Sequence, residues 1–431
     1  MGAPRSNLAP RPRPGPAAAG APPPPAAAGP LTLAQERRNL AVLWVGCYLT
    51  AASWSLVLPF LPILMRRLGV PQDHVAAWTG MAFAAAFLTA IIASPIWGAW
   101  ADAAGRKVNC LRSGITITVV MIGLANVGSP GMVLFWRLIN GAFSGFLPAA
   151  FSLVAATVPA ERLGRQMGAL QSSQAAGAIT GPLIGGALVQ LWGIHWTFYL
   201  AGAAQVVATI LVWMLVREPA PPRRGMRLDL LPGLAQVWQY SGLRQVLGLS
   251  MLVQLGTTLI EPLITIYVGQ FPGVTAVPFL SGLLFSLLGI SALICSPWWG
   301  RRGERRGYGP VVLFGLAGAA VGNALQLVAG SLWGFGAIRL ATGAAYAGAN
   351  TGLGTLAATT VPEEFRGRSY GLLTSSQQVG NLIGPLAGGF WGDAYGIHSA
   401  FGVAALVFVV ALALALLWTR RRTQWTGPSI R

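Results

Sequence analysis

Residues 168–186 read GALQSSQAAGAITGPLIGG, and residues 371–389 read GLLTSSQQVGNLIGPLAGG. Gly168, Gly177, Gly181, Pro182, Gly185 and Gly186 thus recur as Gly371, Gly380, Gly384, Pro385, Gly388 and Gly389, each 203 positions on. The likeness extends outward from this stretch. Ala93-Ser-Pro-Ile-Trp-Gly98 returns as Cys295-Ser-Pro-Trp-Trp-Gly300, Arg137 returns as Arg339, and Trp192-Gly-Ile-His195 returns as Tyr395-Gly-Ile-His398. The chain is therefore a tandem repeat with a period near 200 residues. Apolar stretches of about 20 residues, each long enough to span a bilayer as a helix, recur from Leu40 onward, six to each repeat. An even number gives both repeats the same orientation, related by an axis along the membrane normal. The expected fold is all-α: twelve transmembrane helices as two six-helix bundles, at 39–216 and 245–418. An N-tail (1–38), a linker (217–244) and a C-tail (419–431) flank them. Pro, Ala and Gly dominate the N-tail and predict disorder.

Composition supports a lipid solvent. Hydrophobic residues make up 54% and charged residues 9% of the 431 positions, against about 25% charged in soluble domains. The net charge of +18 is a topology signal. If both termini are cytoplasmic, 25 of the 29 Lys and Arg fall on cytoplasmic segments, Arg66 and Arg67 lie outside, and Arg137 and Arg339 lie within spans. That is the positive-inside pattern, so nucleic acid is not an expected partner. Lys107 is the sole lysine, which excludes a Gly-Lys-Ser/Thr phosphate loop. Three cysteines in or beside apolar runs and three scattered histidines offer neither a disulfide framework nor a metal site. No catalytic constellation is visible, so no enzyme is expected.

The motifs resemble those of the major facilitator superfamily over nearly all of residues 38 to 420. Its loop motif follows the second span as Gly98, Asp102, Gly105, Arg106 and Lys107, with Ala103 where the family usually has Arg; Glu304 is the acid of the second copy. The doubled Gly-Pro pattern is the one associated with drug/proton antiporters, and with Leu58-Pro-Phe-Leu-Pro62 it resembles the MdtG type of bacterial inner-membrane multidrug efflux proteins. The resemblance implies alternating access by rocking of the halves. It implies that Asp102 meets the N-terminal dipole of a neighbouring helix, latching the outward-open state. It also implies spans one, four, seven and ten as cavity walls. Trp54, Phe60, Phe143, Phe146, Tyr346 and Asn350 are the candidate lining residues there, although packing is the commoner use of any single aromatic.

Glu261 is the only carboxylate well inside a span. A charge near the bilayer centre costs at least about 2.5–3.5 kcal/mol, and a carboxyl group out of water favours its neutral form. A group that changes charge with access is what proton coupling requires, so Glu261 is the candidate proton carrier or counter-charge for a cationic substrate. Arg137 and Arg339 are within reach as partners; carbonyl binding is the alternative for both. The expectation is a proton-coupled exporter of amphipathic drugs or other small molecules, monomeric, with no cofactor beyond the proton gradient. A dedicated exporter of a siderophore or lysolipid would show the same motifs, and an uptake symporter is the less favoured reading.

Overall fold

A computed structural model describes residues 31–218 and 240–421. The expected linker and both tails lie largely outside those residues. Three boundaries differ. A helix starts at Ser241, inside the expected linker, and the last helix runs to Arg421, inside the expected C-tail. The first helix begins at Leu33, inside the expected tail, because Thr32 and Gln35 form a reciprocal capping box that satisfies the first free amides.

The N-terminal half holds α1 (Leu33–Arg67), α2 (Val75–Ala104), α3 (Arg106–Ala125), α4 (Pro130–Thr157), α5 (Ala160–Trp192) and α6 (Ile194–Leu215). The second half repeats them as α7 (Ser241–Val268), α8 (Val277–Arg306), α9 (Tyr308–Gln326), α10 (Leu332–Thr359), α11 (Arg366–Tyr395) and α12 (Ile397–Arg421). Among the described residues, 10 helices are long and apolar enough to cross a membrane. The other two, α10 and α11, have the length but carry Gly, Ser, Thr, Asn and Gln along much of it.

Both described chain ends lie on one face, termed here the basic face, with the far face opposite. Within each half, equivalent helices pack alike: α1 on α5 and α6, α7 on α11 and α12, α2 on α4, and α8 on α10. The halves meet along two seams, α2 against α11 and α5 against α8. One buried apolar cluster runs through the N-terminal half and continues across into Leu263, Tyr267, Phe335 and Phe401 of the second half. A separate cluster around Val246, Leu316, Leu353 and Phe408 belongs to the second half alone. The two halves therefore share a core near the far face and part company toward the basic face.

Candidate functional site

The Gly-Pro stretches build the seams. Gly177, Gly181 and Gly185 lie against the α1 backbone at Tyr48, Ala52 and Leu56, and Gly380, Gly384 and Gly388 lie against α7 at Met251, Leu255 and Leu259. These glycines bind each motif helix to the broken helix of its own bundle. The last glycine of each motif faces the other bundle. A side chain at Gly186 would strike the Pro278 carbonyl of α8, and one at Gly389 the Ala76 carbonyl of α2. The opposing helices answer with Gly282 against the Pro182 carbonyl and Gly80 against the Pro385 carbonyl. Small residues on both sides let the backbones touch. At the basic ends of the same four helices, Gly98, Gly168, Gly300 and Gly371 have no neighbour among the described residues within 4 Å of where a Cβ would sit. Both seams are thus sealed toward the far face and open toward the basic face.

Helices α1 and α7 break at matching points, where Leu58–Phe60 and Glu261–Leu263 form 3-10 turns. Pro59 and Pro262 cause the breaks, since neither can donate the helical hydrogen bond. At the position of Pro62 in α1, α7 has Thr265, whose hydroxyl donates to the Pro59 carbonyl at 2.6 Å, tying the broken helices together across the halves. The break puts Glu261 at the head of its turn, partly exposed to the space between the bundles. Among the described residues it makes no ion pair within 4.0 Å; its electrostatic neighbours are Arg339 and Tyr346.

The two arginines act first as clamps. Arg137 Nε donates to the Ala82 carbonyl at 2.8 Å, and Arg339 Nε donates to the Leu284 carbonyl at 2.9 Å, a bond repeated between the halves. One turn on, Gly141 and Gly343 let α4 and α10 close onto Ala86 and Leu288. The Arg-x-x-x-Gly pattern is therefore the seat of α4 on α2 and of α10 on α8. Each guanidinium still leaves one buried amino group, Arg137 Nη2 or Arg339 Nη1, without a hydrogen-bond partner among the described residues. Arg137 also lies over the Trp54 ring, 4.8 Å from its centroid. The ion pair expected between Glu261 and these arginines is not formed in this state.

Cavity expectations divide. Trp54 is partly exposed, Phe143 is 39% exposed beside Trp97, and Asn350 is exposed. Phe60 and Phe146 are corrected to core positions. Phe60 is fully buried against Gly185, and Phe146 packs on Gly46. The physical cause for Phe146 is a break in α4 at Ser144 and Gly145 (φ +142), which turns the following segment onto α1 and α3. Arg112 donates to the Phe143 carbonyl at that break, at 2.7 Å. Tyr346 is also buried, accepting from Asn323 Nδ2 at 2.8 Å. Asp102 pairs with Arg106 at 3.0 Å and is largely exposed, as is Glu304; among the described residues neither contacts a helix N-terminus.

The family model described as Major Facilitator Superfamily matches residues 43–277 and 246–431. The chain belongs to the Major Facilitator Superfamily. As a member, it is a multi-pass membrane transporter and not an enzyme. It is 33% identical over 393 residues to the multidrug resistance protein MdtG of Proteus mirabilis, covering 90% of this chain and 96% of that protein. MdtG of Serratia proteamaculans is 32% identical over 395 residues, covering 90% and 95%. In fold it is similar to a bacterial homologue of the lysosomal transporter Spinster in an inward-facing, unoccupied conformation, with TM-score 0.76, 15% identity and coverage of 90% and 98%. A D-xylose–proton symporter gives TM-score 0.76 at 14% identity, covering 91% and 99%.

Two acids of this superfamily member escaped the sequence reading. Glu218, just past α6, caps α3: its carboxylate accepts from the backbone amides of Arg106 (2.9 Å) and Lys107 (2.8 Å). Gly105 at φ +109 makes that turn, and the carboxylate approaches so closely that a Cβ there would lie 3.2 Å from Glu218 Oε2. Asp393, in the last turn of α11, accepts from the amides of Ala76 (3.1 Å) and Ala77 (2.7 Å) at the start of α2. A hydropathy reading registers acids at helix ends only as solvated charges. Their partners are 111 to 317 positions away.

Proposed function

We propose that this chain is a proton-driven exporter of amphipathic small molecules with its basic face in the cytoplasm of a bacterial inner membrane. The observation that carries the reading is Glu261: a carboxylate at a helix break, without an ion pair among the described residues, bordering the space between bundles that are sealed together toward the far face. The similarity to MdtG proteins, named for multidrug resistance, supports drugs as cargo. In this reading the substrate enters from the cytoplasm or inner leaflet and contacts the partly exposed Trp54, Phe143 and Asn350. The halves then rock, the far seams part, and the substrate leaves. A proton from outside loads Glu261 and resets the site.

Arg339 supplies the electrostatic logic. Among the described residues its Nη1 has no hydrogen-bond partner while its Nε holds the Leu284 carbonyl. A deprotonated Glu261 would be drawn to that buried cation, and a protonated one released from it, so the carboxyl charge favours one arrangement of α7 and α10 over another. The test is compound accumulation in inside-out vesicles, using a panel of lipophilic dyes and antibiotics under an imposed proton gradient. Accumulation of several compounds that collapses with a protonophore is expected. Accumulation that persists without the gradient would contradict proton drive. Transport confined to one metabolite-like compound would move the reading to a dedicated exporter.

A further inference from the structure

The two far-face seams are not built alike. Along α5 and α8 the polar tie is neutral: Ser286 donates to the Ile179 carbonyl at 2.6 Å. Along α2 and α11 it is a carboxylate, and both oxygens of Asp393 are seated on successive free amides at the N-terminus of α2. The bond joins opposite halves of the molecule. The first amides of a helix lack partners within it and carry its positive dipole end, so an ionised acceptor there makes a charge-assisted pair. Asp73 and His74, in the segment leading into α2, are the charged neighbours.

The repeat provides an internal comparison. The position equivalent to Asp393 is Gln190, which is exposed, and the residue equivalent to Ala76 is Pro278, which has no amide to give. The other seam thus lacks the carboxylate and one of the two amide donors, while Phe279, equivalent to Ala77, keeps its amide. The same α2–α11 contact includes the backbone approach of Gly80 to Pro385 and of Gly389 to Ala76, so Asp393 sits where the halves must separate if the far side is to open.

We propose that Asp393 is a positioning residue of the transport cycle, a one-sided latch that holds the far gate shut by capping α2 from the opposite bundle. The proposal rests on the alternating-access reading above, but its test needs neither substrate nor proton gradient. Two spin-label pairs report the two faces: Gly128→Cys with Gly330→Cys on the far loops, and Gly164→Cys with Gly367→Cys in the first turns of α5 and α11 at the basic face. All four positions are exposed with no neighbour within 4 Å. Cys295 is replaced by Ser, while Cys47 and Cys110 are buried.

Distances are measured in purified, detergent-solubilised protein at fixed pH. The parent protein is expected to show a dominant short far-side distance. Asp393→Asn, which keeps the shape, and Asp393→Ala should each raise the far-open to far-closed ratio about five-fold, the scale of a partly buried helix-terminus contact. The basic-side distance should shorten in parallel. Gln190→Ala should leave both distributions unchanged. An unshifted ratio in well-folded, monodisperse Asp393→Asn and Asp393→Ala, or an equal shift in Gln190→Ala, would overturn the latch. Absence of vesicle transport in the parent protein, with the predicted shift intact in the variants, would count against the exporter reading and leave the latch standing.

Discussion

Phe146 and Trp54 show how two aromatics of one candidate wall come to different ends. Phe146 is 1% exposed and its ring tip lies 3.0 Å from a Cβ built on Gly46. Phe146→Ala is therefore expected to cost about 3–5 kcal/mol, as for other buried aromatics, and to lower the thermal unfolding midpoint in detergent. Trp54 is partly exposed and stacks under the Arg137 guanidinium. Trp54→Ala is expected to leave the midpoint nearly unchanged while altering which compounds the vesicles accumulate. The reverse pattern would exchange the roles assigned to them. The sequence identified both residues as aromatics on wall-forming spans. It did not reveal the φ +142 break at Gly145 that swings one of them into the core, because a Ser-Gly pair inside an apolar run is compatible with a continuous helix.

At the scale of the element, the seams depend on glycines that face glycines. Gly282 meets the Pro182 carbonyl, so Gly282→Val inserts three carbons where a Cβ already finds no room. The expected result is a population shift toward a parted α5–α8 seam, read as a longer far-side label distance without loss of folded protein. Overpacking of this kind typically costs about 1–3 kcal/mol, enough to move a two-state equilibrium by one or two powers of ten. An unchanged distance would contradict the seam as drawn. Glu218 acts within one bundle and gives a different signature. Glu218→Ala should remove about 0.3–1 kcal/mol of capping and speed hydrogen exchange at the amides of residues 106 and 107 by about two- to five-fold, with no change in either label distance. A change in the label distances instead would make Glu218 part of the gate.

For the whole molecule, the repeat made the architecture legible. The period fixed two equivalent bundles, and the run lengths fixed helices of membrane-crossing size. The doubled Gly-Pro pattern marked the very helices, α5 and α11, that carry the seams. What the sequence left open was which face of each helix meets which neighbour. Thus Arg137 and Arg339 were legible as costly buried charges with carbonyl binding as one of two readings, but which carbonyls they would hold, those of Ala82 and Leu284, was not. Asp393 carries no local signal of its role, since its partners are 316 and 317 positions away. The open basic face and sealed far face depend on the relative placement of two rigid bundles, which local periodicity does not encode.

The central claim is that one carboxylate couples cargo to protons. The decisive measurement follows lumenal pH in proteoliposomes loaded with a transported compound, comparing the parent protein with Glu261→Gln. In the parent, compound movement down its gradient should drive protons the opposite way. In Glu261→Gln, that proton flux should fall to the level of empty liposomes while compound binding and the far-side label distance remain measurable. Proton flux equal to that of the parent in Glu261→Gln would contradict the account.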